Sequence, residues 1–81
     1  MKIPRDISAE ELIAALAKLG YNITRQKGSH IRLTVKTEER IHHLTIPNHN
    51  PLKIGTLNNI LNALSNFHKI EKKDLIKKLF E

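Results

Sequence analysis

The chain is expected to fold as an α+β domain: one helix, a three-stranded antiparallel sheet, a second helix and a short terminal helix. Three features carry that expectation. The segment ELIAALAKLG has helical spacing and ends in glycine. Three consecutive short segments then alternate apolar with polar residues, and two more stretches of helical spacing follow Pro47.

Ser8 with Glu11 three residues on is a capping box, so the first helix starts at Ala9. Leu12, Ile13, Leu16 and Leu19 share one face, and Gly20 takes the C′ position, which bounds the helix at about Ala9 to Leu19. YNITRQ reads as a half-buried strand, with Tyr21 and Ile23 alternating against Asn22 and Thr24. Lys27, Gly28 and Ser29 form the turn. In the second strand, His30 to Lys36, Ile31, Leu33 and Val35 face one way while His30, Arg32, Thr34 and Lys36 face the other. TEER makes a polar bend before IHHLTI, where His42, Leu44 and Ile46 share a face opposite Ile41, His43 and Thr45. Short turns between neighbouring strands imply an antiparallel meander. Pro47 ends the third strand because it has no amide to donate. After the loop NHNPLKIG, Thr56 is a candidate cap for a helix whose Leu57, Ile60, Leu61 and Leu64 form its buried face. A break is expected around Ser65 to Lys69. Leu75, Ile76, Leu79 and Phe80 then mark a third helix, with Lys72, Lys73, Lys77 and Lys78 on its wet side.

At 81 residues the chain suffices for one core, so a single domain is expected over residues 1–81, with its centre at about 8–66 and a helical extension at about 70–80. Tyr21, Phe67 and Phe80 are the only aromatic residues, which leaves Ile, Leu and Val to build the core. Cysteine is absent, excluding disulfides and thiolate metal sites. MKIPRDIS lacks the apolar run of a secretory signal, and no segment reaches the roughly 20 apolar residues of a membrane span. A cytoplasmic protein without a membrane partner is expected.

Fourteen Lys and Arg against eight Asp and Glu give a net charge of +6, which favours an anionic partner. The distribution says more. No acid occurs from Leu12 to Thr37, a span containing Lys18, Arg25, Lys27, Arg32 and Lys36, and none occurs from Arg40 to Ile70. The plain alternative is a solvated basic face that serves solubility.

His30 opens the wet face of the second strand just after a glycine turn, with Lys27 and Arg32 beside it. An imidazole exchanges protons near neutral pH, and flanking cations hold phosphate. RNA needs little more for cleavage, because its 2′-OH is the nucleophile once deprotonated. The competing reading is an ordinary exposed strand histidine. His49 lies in the loop after Pro47, either turned toward the same face or in solvent. His42 and His43 are adjacent in a strand and point to opposite faces, which disfavours a shared metal ion. His68 reads as a surface or capping residue. No glycine-rich phosphate loop, paired carboxylate constellation or Ser/His/Asp set has motif spacing. Any catalysis would be metal-free, cofactor-free and led by histidine.

Four motifs in order give the chain a specific resemblance to the HicA family of bacterial toxins. They are ELIAALAKLGY; R-x-K-G-S-H at Arg25, Lys27, Gly28, Ser29 and His30; I-P-x-H at Ile46, Pro47 and His49; and L-K-I-G-T-L-x-x-I-L from Leu52 to Leu61. Members of that family are ribosome-independent mRNA interferases that work with a HicB antitoxin. The resemblance covers about Ala9 to Leu64. It implies a fold similar to a double-stranded-RNA-binding domain, with His30 as the catalytic residue. Together with the basic wet face of the second strand, it gives Arg25, Lys27, Gly28, Ser29, Arg32 and Lys36 as expected RNA contacts, and it points to His49, Lys53 and Thr56 as weaker supporting candidates. Partners would be mRNA and a HicB-like antitoxin covering the basic face. Tyr21 stands where members commonly have Trp, and residues 70–80 extend beyond the shortest members. The alternatives are a non-catalytic double-stranded-RNA-binding module of the same fold and a docking surface for an acidic protein.

Overall fold

The computed structural model describes residues 3–81; Met1 and Lys2, part of the expected 1–81 unit, lie outside the described residues. Its elements are α1 (Ala9–Ala17), β1 (Asn22–Lys27), β2 (His30–Lys36), β3 (Ile41–Pro47), α2 (Ile54–His68) and α3 (Lys72–Phe80). The strands form one antiparallel sheet in the order β1-β2-β3. This is the expected α+β architecture, terminal helix included.

The Ser8 cap forms in full: its side chain accepts the Glu11 amide at 3.0 Å, and the Ser8 amide donates to Glu11 Oε1 at 3.2 Å. α1 ends two residues before Leu19. Amides of Lys18, Leu19 and Gly20 donate to carbonyls three residues back, tightening the last turn and satisfying carbonyls that an α-helix end would leave open. Gly20 then reverses the chain at φ 92°, where any side chain would be strained.

Core packing is one-sided. Ile31, Leu33 and Val35 of β2 and Leu44 and Ile46 of β3 are buried with Leu12 and Leu16 of α1, Leu57, Ile60, Leu61 and Leu64 of α2, and Leu75, Ile76 and Leu79 of α3. The opposite sheet face carries no helix. The extension residues belong to the same cluster, and the Lys18 ammonium donates to the Leu79 carbonyl at 3.3 Å, placing a cation on the negative end of α3.

Three local expectations are corrected. Ile23 is 54% exposed, so β1 is not half-buried in the expected pattern: Tyr21 lies inside, but a register shift between Ile23 and Arg25 on this edge strand interrupts the alternation. Thr56 does not cap α2. The helix starts at Ile54 with Lys53 at its N-cap and no side-chain capping bond, which puts Thr56 inside the first turn. The break expected at Ser65 to Lys69 moves to Lys69 to Glu71, because α2 continues to His68 and ends with Lys69 in the left-handed region at φ 54°.

That extra turn delivers His68 to the sheet, where it does more than cover the surface. Tyr21, 3% exposed, has its hydroxyl 2.6 Å from His42 Nδ1 and 2.9 Å from His68 Nε2. A phenol has one proton, so it donates to one ring and accepts from the other. His42 stacks on Phe67 at 4.3 Å, and the Arg40 guanidinium lies 4.2 Å from the centre of the same Phe67 ring. Burial raises the Tyr21 pKa to about 12. Burial also lowers both histidines below the usual 6.5, helped at His42 by His68, Arg40 and His43, and at His68 by Lys78 and Arg40.

Two outcomes are expected. A histidine with a depressed folded pKa binds more protons when unfolded, so its contribution is complete above about pH 6.5 and fades as pH falls toward the folded value. The melting temperature should therefore drop between pH 7 and 5, and drop less in a His42→Asn/His68→Gln double variant, as followed by circular dichroism. Leu75→Ala, which empties a position 0% exposed, should cost about 2–5 kcal/mol in a single urea transition if α3 unfolds with the rest.

Candidate functional site

The hairpin between β1 and β2 builds the site. Gly28 has φ 58° and Ser29 does not share that sign, so glycine sits first in a two-residue turn, where a β-branched residue would be excluded. Lys27 pairs with His30 and Arg25 with Arg32, each directly across the ladder. On the other side Arg32 faces Thr45, and His30 faces Pro47. The Asn48 amide donates to the Ser29 carbonyl at 2.6 Å, which ties the turn to the loop after β3.

These side chains surround an open depression of ≈ 270 Å³ on the helix-free face, lined by Arg25, Lys27, His30, Arg32 and Thr45. No carboxylate lines it. The ion pair found among the described residues, Lys73 with Glu71 at 3.6 Å, lies at the start of α3. Like charges placed opposite each other in a sheet cost about 0.2–1 kcal/mol, while burial of three apolar side chains from the same strand contributes roughly 5–9 kcal/mol. The core therefore holds the cations together against their repulsion. An arriving anion is met by three positive charges and an imidazole that the paired strands already gather on one face.

The structure thus gathers four of the expected residues, Arg25, Lys27, His30 and Arg32, with Gly28 and Ser29 forming the adjoining turn. Lys36 is exposed at the far end of β2. His49, Lys53 and Thr56 are not among the lining residues: His49 is exposed, its amide donating to Pro47 and its carbonyl accepting from Ala9; Lys53 is the N-cap of α2; and Thr56 is half-buried in the first turn. Thr45 was missed. Strand alternation already put it beside His43 on the open side, but its place opposite Arg32 depends on the pairing register. His42 and His43 do point to opposite faces. His43 Nδ1 lies 2.9 Å from the Thr34 hydroxyl, which is in turn 2.8 Å from that of Thr24. Among the described residues no group of three or more His, Asp or Glu side chains is placed to hold a metal ion, and no helix is long and apolar enough to cross a membrane.

The family model described as HicA toxin of bacterial toxin-antitoxin matches residues 9–65, which span α1 through most of α2. The chain belongs to the HicA toxin family. As a member of a toxin-antitoxin family it has an antitoxin for a partner. No curated protein and no solved structure matches it. The site just described lies wholly within the matched segment, while α3 lies outside it.

If the depression is an anion site, Arg32→Gln should leave the free protein as stable as before, or raise its stability by about 0.5 kcal/mol, since it removes one of two opposed charges. The same change should abolish any rise in melting temperature produced by inorganic phosphate. Thermal melts with and without phosphate check both parts.

Proposed function

We propose that this HicA toxin is an endoribonuclease that cleaves mRNA by histidine-assisted transesterification without a metal ion. The observation that carries the reading is the exposed His30 imidazole beside Arg25, Lys27 and Arg32 in one acid-free depression. The scissile phosphate sits among the cations. His30 accepts the 2′-OH proton as the 2′-oxygen attacks phosphorus, the bond from phosphorus to the 5′-oxygen breaks, and that oxygen takes up a proton. The products are a 2′,3′-cyclic phosphate and a 5′-hydroxyl end. Arg25, Lys27 and Arg32 neutralise charge that grows on the phosphoryl oxygens in the transition state. Gly28 and Ser29 shape the turn that sets His30 at the rim. Lys36 extends the positive face, and His49, Lys53 and Thr56 support RNA from the neighbouring loop and helix start. With no second histidine lining the depression, solvent is favoured over His49 as the group that completes the proton cycle.

The same charge distribution suits the partner. A HicB-like antitoxin would silence the toxin by presenting acidic groups to the open face and covering His30. The cytoplasm, where mRNA is found, is the compartment this reading requires. The alternative, a non-catalytic RNA-binding module, differs in having no cleavage to lose.

Incubation of the purified protein with RNA separates the two. Cleavage should persist in EDTA, and His30→Ala should reduce its rate by about 100-fold or more while RNA affinity changes little. Cleavage undiminished by the substitution would sink the mechanism, and no cleavage by the wild-type protein would favour the binding module.

A further inference from the structure

Beyond the cationic group the open face continues and its character changes. One row along the strands, roughly 7 Å from Arg32 and Thr45, Thr34 of β2 faces His43 of β3, and the next row pairs Lys36 with Ile41. Hydroxyls of Thr24 and Thr34 and His43 Nδ1 form a hydrogen-bonded chain across all three strands, with spacings of 2.8 and 2.9 Å. This row has no formal charge when the imidazole is neutral. The chain fixes the ring of His43 through Nδ1, and among the described residues Nε2 has no partner. Next to it Ile41 is 54% exposed, as open as Ile23 and more open than any other large apolar side chain among the described residues.

A lone exposed isoleucine needs no explanation. Here it adjoins an imidazole held through Nδ1 on the helix-free sheet face, and that imidazole lies one row from the cationic depression, Ile41 two rows from it. Phosphate binds poorly to a neutral row, whereas a nucleobase finds a flat imidazole and an aliphatic surface for its face, and the Thr34 hydroxyl for its edge. A base within a duplex has its face stacked and its pairing edge occupied, so only an unpaired base can lie flat on this row. In-line attack by a 2′-OH likewise requires a backbone released from helical stacking.

We propose that Thr34, His43 and Ile41 form a nucleobase subsite, which holds a base of single-stranded RNA adjoining the phosphate bound among Arg25, Lys27, His30 and Arg32. This rests on the RNA-cleaving reading and deepens it: the cationic depression takes the backbone, and the uncharged Thr34–His43 row, with Ile41 and Lys36 beyond it, selects unpaired RNA. Thr24 is a positioning residue, acting on the base only through Thr34.

The test uses full-length protein carrying His30→Ala, so that RNA stays intact, and measures fluorescence anisotropy with two labelled oligomers of equal length. One is single-stranded RNA of mixed sequence; the other has the same backbone with abasic residues. Adding His43→Ala should weaken binding of the base-bearing RNA by about tenfold, the usual scale for loss of one stacked base, and adding Thr34→Val should weaken it severalfold. Neither change should alter binding of the abasic oligomer. Because both residues lie on the helix-free face, unchanged circular dichroism is expected. If His43→Ala leaves both affinities unaltered, or lowers them by the same factor, the subsite is wrong while the catalytic reading stands. If the His30→Ala protein binds neither oligomer, the RNA-cleaving reading itself fails.

Discussion

One-sided burial of the second strand is the constraint on which the rest of this molecule depends. Ile31, Leu33 and Val35 must enter the core because the helices offer no other partner for their own apolar faces, and strand geometry then sends His30, Arg32, Thr34 and Lys36 to the opposite side. A slip of one residue would expose the first set and bury the second, exchanging apolar burial for the desolvation of two cations and an imidazole. The register is thus held by the hydrophobic effect, and the arrangement of the polar face follows from it. The open face owes its order to groups that never reach it.

Helices on one side also explain why charge of one sign is tolerated on the other. In water, with counterions nearby, the repulsion between Arg25 and Arg32 is modest; beneath a helix it would be prohibitive. The face remains solvated and open to an anion, while its backbone is held by the ladder. The turn at Gly28 and Ser29 is secured from a third direction by the Asn48 amide. Exposed charges gathered on a hydrogen-bonded frame suit the recognition of a phosphate, and they suit equally an acidic partner surface that must displace it.

Much of the candidate site was legible in the residues. R-x-K-G-S-H places a histidine immediately after a tight turn, and strand periodicity alone puts Arg32 beside it on the wet face. Less was legible wherever two segments distant in sequence had to be aligned. Thr45 joins the depression because β3 pairs with β2 in one register, and His43 reaches Thr34 for the same reason. The Tyr21, His42 and His68 cluster unites a loop, a strand and a helix end, 21 and 47 residues apart. No local pattern announces such a meeting. His68 also depended on the exact length of α2, which Lys69 ends by adopting a left-handed conformation that glycine or asparagine usually supplies.

By itself the sequence determined what local physics controls: the capping box at Ser8, the alternation of β2, the turn at Gly28, the apolar stripes of three helices, and an acid-poor middle, interrupted only at Glu38 and Glu39, that favoured a positive surface. Each depends on neighbours within a few residues, where spacing and direction are set by backbone geometry. Tertiary structure alone decided what depends on distant partners. It exposed Ile23 at a sheet edge where the register shifts, kept His49 out of the depression, brought α3 onto the shared core, and lined up hydroxyls and an imidazole across three strands. Those outcomes rest on how elements dock and pair, a competition among many weak contacts that no single segment contains.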